Sequence, residues 1–171
     1  MFSAAEPANQ PTSEPANKTH TASPGATITR IANRKPAMSE FKIKLPVRWG
    51  DMDAFGHVSN VVYLRYIEDC RAQWMESVPS HWQDGETGPV VANININFRR
   101  PLYWPKEIEV TLRPLSPGRS SIKLEHEIRS VPKDGDPPVS FADASCTLVW
   151  IDKKKGEPVP LPGCVRELGN P

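Results

Sequence analysis

From Phe41 the chain alternates. Phe41, Ile43, Leu45 and Val47 are apolar, with Lys42, Lys44 and Pro46 between them. A period of two over this length predicts a half-buried strand. Pro46 has no N–H to give to a ladder, so the strand belongs at a sheet edge or ends there. The period then changes. Tyr63, Tyr66, Ile67, Cys70 and Trp74 form one stripe at helical spacing and predict an amphipathic helix over residues 60–77. Arg65, Asp69, Gln73 and Glu76 lie largely off that stripe. Ser59 or Asn60 is the natural N-cap, and Pro79 stops the helix. Four more alternating segments follow. Ile94, Ile96 and Phe98 stand against Asn93, Asn95 and Asn97. Ile108, Val110 and Leu112 stand against Glu107, Glu109 and Thr111. Ile122, Leu124, His126 and Ile128 stand against Ser121, Lys123, Glu125 and Glu127. Ala142, Ala144, Cys146, Leu148 and Trp150 stand against Asp143, Ser145, Thr147 and Val149.

Each strand thus has one apolar and one mostly polar face, which predicts a sheet covered on one side. The connections at Pro114–Gly118 and Pro132–Pro138 are short and turn-rich, so neighbours are expected to run antiparallel. One long helix over five antiparallel strands is a two-layer α+β domain. A single helix covers such a sheet poorly. Self-association is the expected remedy, by edge pairing or by packing of the less charged faces. The uncharged Asn93/Asn95/Asn97 face suits a central strand or an interface.

Composition changes this picture mainly at the N-terminus. Residues 1–38 are rich in Pro, Ala, Thr, Ser and Asn and hold few large apolar side chains. Such a stretch does not bury enough surface to offset its ordering entropy, and it is expected to be disordered. It lacks the apolar core of a signal peptide, and Glu6 and Glu14 are unusual in an organelle leader. Asn17-Lys18-Thr19 matches a glycosylation sequon, but no secretory signal accompanies it. The expected organisation is an extension over 1–38, with Met38 as an alternative start, a domain over 39–155 and a tail over 156–171. A net charge of +1 gives no reason to expect bulk nucleic-acid or membrane binding. No apolar run is long enough to span a bilayer. The 3 cysteines are odd in number, widely spaced and without metal-ligand spacing, which suits a reducing cytoplasm.

The candidate chemistry lies in the stretch Arg48-Trp49-Gly50-Asp51-Met52-Asp53-Ala54-Phe55-Gly56-His57-Val58-Ser59-Asn60. It places two carboxylates, a glycine and a histidine directly before the helix. A helix N-terminus offers free N–H groups and a positive dipole end to a polarised carbonyl. A carboxylate beside it can attack, or activate water. Taken alone, Asp53 also fits a residue that closes a turn through its side chain. Gly56 fits a positive φ or a close approach of substrate. Asp51 reads as an orienting or loop-bonding group, and His57 as lining the site or bonding the loop backbone. Asp51, Asp53 and His57 match no strong metal spacing. Glu68 is the runner-up carboxylate for catalysis but reads as structural, pairing with Arg71 at i+3 or bonding backbone, and His126 reads as a satisfied core histidine. Arg99, Arg100, Arg119 and Lys123 are candidate phosphate binders, since guanidinium presents a planar donor fork. The segment Arg119-Ser120-Ser121 after a Pro-Gly turn is favoured among them. The phosphate-loop Gly-Lys-Ser/Thr, a Gly-x-Gly-x-x-Gly turn and a Gly-x-Ser-x-Gly elbow do not occur. Nucleotide hydrolysis, dinucleotide redox and serine-esterase chemistry therefore find no support.

The order strand, Asp-x-Asp-x-x-Gly-His-Val-x-Asn loop, helix with Tyr63, Tyr66, Glu68 and Arg71, then four strands resembles the hotdog-fold acyl-CoA thioesterases. The likeness is to the 4-hydroxybenzoyl-CoA thioesterase family and its long-chain relatives, over residues 41–151. It implies a hotdog fold, a five-stranded antiparallel sheet wrapped around one long central helix. It implies hydrolysis of an acyl-CoA thioester to free coenzyme A and a carboxylic acid. The family's reacting aspartate falls on Asp53, as nucleophile or general base. The backbone N–H that polarises the carbonyl falls on Asn60. The usual asparagine pair is here Ser59-Asn60, a departure at the cap and not at the carboxylate. Gly56, His57, Tyr63, Ile67, Arg100, Arg119 and Ser120 are the expected substrate contacts. No metal or organic cofactor is expected, coenzyme A being part of the substrate. A homodimer or homotetramer with sites built across an interface is implied. Two other functions fit the same frame, a non-catalytic acyl-CoA or acyl-carrier binding module and a hotdog enoyl-CoA hydratase or dehydratase. A shortened chain starting at Met38 is expected to keep the turnover of the full chain in a thiol-release assay. A large loss would show that residues 1–38 carry more than an extension.

Overall fold

A computed structural model describes residues 40–79, 85–133 and 135–169. The expectations for residues 1–38, including the disordered extension, the sequon and the start at Met38, lie outside the described residues. All described residues fall within the compact unit Lys35–Pro171. The elements run β1 (Phe41–Val47), a 3-10 turn (Trp49–Asp51), α1 (Asn60–Ser77), β2 (Thr87–Phe98), β3 (Lys106–Pro114), β4 (Ser121–Ser130), β5 (Ser140–Asp152) and α2 (Gly163–Leu168). The strands form one sheet in the order β1-β3-β4-β5-β2, antiparallel at every step.

Register shows why the helix lands where it does. Ile43, Val110, Ile128, Ala142 and Phe98 are paired in turn across all five strands. Phe41, Leu112, His126, Ala144 and Ile96 make the next row on the same face. Side chains alternate across a strand, so these rows share one face of the sheet. The α1 stripe of Tyr63, Tyr66, Ile67, Cys70, Trp74 and Met75 is buried against that face. Burying each large apolar side chain contributes roughly 1.5–3 kcal/mol. The helix lies over β1, β3 and β4, with Cys70 Sγ 3.6 Å from the Val110 carbonyl. The opposite sheet face is polar. There Arg129 donates to buried Glu109 at 2.6 and 2.9 Å and also reaches Glu40 and Glu127.

Three expectations change. β2 starts at Thr87, well before the asparagine-rich alternation, and passes through Gly88 and Pro89. Among the described residues it pairs only with β5, and an edge strand tolerates proline. The Asn93, Asn95 and Asn97 strand is therefore an edge and not a central strand. The stretch expected as a tail over 156–171 also joins the core in its described part. Val159 N–H donates to the Trp150 carbonyl at 2.9 Å, Leu161 N–H donates to the Arg119 carbonyl at 2.9 Å, and Leu161 and Val165 are buried. A Cβ at Gly169 would sit 2.3 Å from the Leu115 carbonyl oxygen, so the backbone passes there too closely for a side chain.

His126 is buried as expected, but it is not satisfied. Among the described residues neither ring nitrogen has a hydrogen-bond partner. Burial, helped by the nearby Arg71 charge, pushes its pKa down from 6.5 to about 4; the Thr111 backbone opposes this without forming a full hydrogen bond. The folded imidazole is then neutral where the unfolded one takes up a proton. Its contribution to stability is complete above about pH 6.5 and falls by about 3 kcal/mol as pH drops to about 4. Urea unfolding of wild type and His126→Leu across this range should show a shallower acid decline in the variant. Parallel declines would show that His126 does not titrate this way.

Candidate active site

The loop between β1 and α1 is closed by its own backbone. Met52 and Val58 form an isolated antiparallel bridge, and Asp53 N–H donates to the His57 carbonyl at 2.9 Å. Gly56 N–H donates back to the Asp53 carbonyl at 3.1 Å. Gly56 has φ of 78°, a conformation glycine adopts without steric cost. The base of the loop is tied by Asp51. Its Oδ2 accepts the Arg48 N–H and the Tyr66 hydroxyl, each at 2.7 Å. Its carbonyl accepts the Ser59 N–H at 2.9 Å. Val58 N–H donates to the Leu102 carbonyl at 2.8 Å and fastens the loop to the segment after β2.

Asp53 stands next to the bridge, where the loop narrows, with its side chain 26% exposed. Oδ1 accepts the Phe55 N–H at 2.8 Å, an Asx turn that fixes the plane of the carboxylate. Oδ2 lies 3.5 Å from His57 Nδ1, which is also 3.4 Å from the Val58 carbonyl. The turn-closing reading of Asp53 is therefore realised by one oxygen, while the other is held beside His57. Ser59 is the N-cap of α1 by position, but its side chain makes no capping bond. The N–H of Asn60, at the first helical position, has no acceptor within the helix.

Asp53, Phe55, His57, Val58, Asn60, Tyr63, Phe98, Arg99, Arg100 and Pro101 line one cleft of about 540 Å³. Tyr63 donates its hydroxyl to the Arg100 carbonyl at 3.4 Å, and its ring meets Phe98 edge-on at 5.2 Å. Burial raises the Tyr63 hydroxyl pKa, which keeps it protonated. Arg99 is bound to Asp143, and this contact lowers the Asp143 carboxyl pKa. Arg100 spends Nη1 on the Ser140 carbonyl at 3.0 Å. The cleft thus combines a carboxylate, a helix N-terminus and an apolar wall, with Arg99 and Arg100 among its lining residues.

Of the substrate contacts read from sequence, Gly56 shapes the loop, and His57, Tyr63 and Arg100 reach the cleft. Ile67 is wholly buried in the core and does not line the cleft. Arg119 and Ser120 stand apart. They lie at the β3–β4 turn, where their carbonyls accept from Leu161, Arg166 and Trp150. Glu68 is exposed, pairs with Arg71 at 3.9 Å and lines a separate pocket with Ala72, Met75, Pro89 and Val91. Sequence reasoning did not single out Phe55, Phe98 or the Tyr66–Asp51 bond. Phe98 ends a strand just before Arg99-Arg100-Pro101, where the proline marks the end of strand pairing but not a site.

Comparison with known proteins agrees with this architecture. The model of the thioesterase-like superfamily matches residues 47–168. Long-chain acyl-CoA thioesterase FadM of Escherichia coli is 33% identical over 128 residues, 72% of this chain and 92% of that protein. A putative thioesterase from Pseudomonas aeruginosa superposes with a TM-score of 0.67 at 32% identity, over 74% of this chain and 95% of that one. A Thermus thermophilus thioesterase, solved in complex with coenzyme A and Zn, gives a TM-score of 0.60 at 32% identity over 74% and 94% of the two chains. With its five-stranded antiparallel sheet, single long helix and loop–helix cleft, the chain belongs to the thioesterase-like superfamily and has the hotdog fold.

Proposed function

We propose that this thioester hydrolase acts on acyl-coenzyme A, releasing free coenzyme A and a carboxylic acid, with Asp53 as its working carboxylate. The observation that carries the reading is that Asp53 and Asn60 line one cleft. The thioester carbonyl oxygen would take the N–H of Asn60 as the oxyanion develops. Asp53 then has two routes. As general base it takes a proton from water, whose oxygen bonds the acyl carbon as the C–S bond breaks. As nucleophile it forms a mixed anhydride that water opens in a second step. In both, the thiolate of coenzyme A leaves with the electron pair of the C–S bond, and water supplies the proton and hydroxyl. Arg100 and Arg99 stand where they can meet phosphates of the carrier. The coenzyme A complex of the similar Thermus thermophilus protein supports that choice of carrier.

The reading routes no step through a metal. Among the described residues no group of three or more His, Cys, Asp or Glu side chains comes together as a donor set. It places the enzyme in the cytoplasm, in keeping with the free thiols of Cys70, Cys146 and Cys164. No helix among the described residues is long and apolar enough to cross a membrane.

A second copy of the chain belongs to the same reading. α1 lies over β1, β3 and β4, and among the described residues β2 is an edge with one ladder unpaired. Val91 on β2 and Phe98 at its end are exposed, Phe98 by 51%, and Phe55, exposed by 86%, lines the cleft with Phe98. An apolar strip along an unpaired strand is what edge pairing covers.

Asp53→Asn keeps the oxygen that closes the turn and removes the charge that attacks or activates water. Thiol release from short, long and aromatic acyl-CoAs should fall by about 10²-fold or more in this variant, with unchanged melting. Wild-type turnover by Asp53→Asn would sink the assignment. Binding without release by wild type across the panel would favour the non-catalytic module. Sedimentation of wild type should give a dimer or tetramer, and Val91→Lys should shift it toward monomer. A monomeric wild type would exclude the pairing.

A further inference from the structure

Tyr66 is 5% exposed and belongs to the buried stripe of α1, where a phenylalanine would fill the same core space. Its hydroxyl instead leaves the core and donates to Asp51 Oδ2 at 2.7 Å. A polar group carried into a core costs free energy unless it is bonded, so the bond must hold for the residue to be tolerated. The same oxygen accepts the Arg48 N–H at 2.7 Å, and the Asp51 carbonyl accepts the Ser59 N–H at 2.9 Å. Asp51 therefore joins three parts of the chain: the exit from β1, the second turn of α1 and the residue that caps α1. Burial first, and then the bond to Asp51, push the Tyr66 hydroxyl far above its ordinary range, so it stays a donor at any working pH. A hydroxyl donating to a carboxylate is a short, charge-assisted bond.

We infer that Tyr66 is a positioning residue, which acts through Asp51 to set the loop carrying Asp53 against the N-terminus of α1. This rests on the acyl-CoA hydrolysis reading above. The carboxylate and the oxyanion donor come from different elements, one from a loop and one from a helix. Their relative placement is only as firm as the link between those elements. Backbone bonds close the loop on itself and fasten it to Leu102, while its tie to the buried face of α1 is the Tyr66 hydroxyl. The Tyr66–Asp51 bond makes that tie from a residue locked in the core. Misplacement of a reacting group by about 1 Å costs up to about 10²-fold in rate. The substrate is held elsewhere, by the cleft wall and the arginines, so the loss should fall on kcat and leave KM nearly alone.

The test uses the full chain as wild type, Tyr66→Phe, Asp51→Asn, Asp51→Ala and the Tyr66→Phe/Asp51→Ala pair. Thiol-release kinetics are read beside amide hydrogen exchange. Tyr66→Phe should lower kcat by about tenfold with KM within about twofold. The amides of Asp53 and Ser59 should exchange about tenfold faster, with core strands unchanged. Asp51→Asn keeps an oxygen that accepts from both donors and should recover most of kcat. Asp51→Ala should lose at least as much as Tyr66→Phe, and the double variant no more than Asp51→Ala alone. Wild-type kcat and wild-type loop exchange in Tyr66→Phe would overturn the proposal. So would a joint loss in kcat and KM with faster exchange throughout the core, which marks a merely structural role. If wild type releases thiol from no acyl-CoA, the hydrolysis reading fails. Loop exchange in Tyr66→Phe then still decides the tether, and unchanged exchange overturns it.

Discussion

The seating of α1 on the sheet is the constraint from which the site follows. Its apolar stripe must meet the apolar rows that run from β1 through β3 and β4, and this fixes both the rotation and the axial position of the helix. A helix so placed has its N-terminus near the end of β1, and the chain between them has few residues to spend. The loop closes through the Met52–Val58 bridge, and Leu102 receives it from the far side. The position of Asp53 relative to Asn60 is therefore set by packing more than a helical turn away, at Tyr66, Ile67 and Cys70. No cap by the Ser59 side chain is needed to hold the helix end, and its first N–H groups stay available for a ligand.

That same dependence explains what was readable in the chain. Period-two and helical-period patterns belong to single elements, and they placed all five strands and the helix. The start of β2 was hidden because Gly88 and Pro89 carry turn chemistry, while edge location is a property of the whole sheet. The segment after residue 156 was hidden for a similar reason. Its prolines read as loop, but Leu161 is bonded to Arg119 at the β3–β4 turn, which is distant in sequence, and Leu161 and Val165 are buried. In the site, the residues of the contiguous loop motif and Tyr63 come together, since short range fixes them. Arg119 and Ser120 lay outside any such motif, and the turn that holds them faces α2.

Buried polarity is treated in two opposite ways on the two faces of the sheet. On the outer face, Arg129 is matched by Glu109, with Glu127 and Glu40 at its margins. On the helix face, Arg71 is only 12% exposed, and its contacts, Cys146 Sγ and Glu68, are both 3.9 Å away. It sits near His126, whose ring nitrogens are unpartnered among the described residues. Burial first, and then the Arg71 charge beside it, hold that imidazole neutral. The helix–sheet layer thus tolerates a basic pair by leaving one member uncharged, whereas the outer face tolerates charge by pairing it.

Asp53 shows why turn chemistry and reaction chemistry need not compete for a residue. A carboxylate has two oxygens, and here Oδ1 holds the Phe55 N–H while Oδ2 lies beside His57. The turn bond removes rotation about the side chain and so aims the second oxygen. The length of aspartate matters for this division. A glutamate carries its carboxylate one methylene farther out, beyond the short ring that reaches the N–H two residues on. It would keep the charge but lose the bond that directs it. A loop of this closure therefore favours aspartate on local geometry alone. The feature that makes Asp53 look like an ordinary turn residue is the one that prepares it for chemistry.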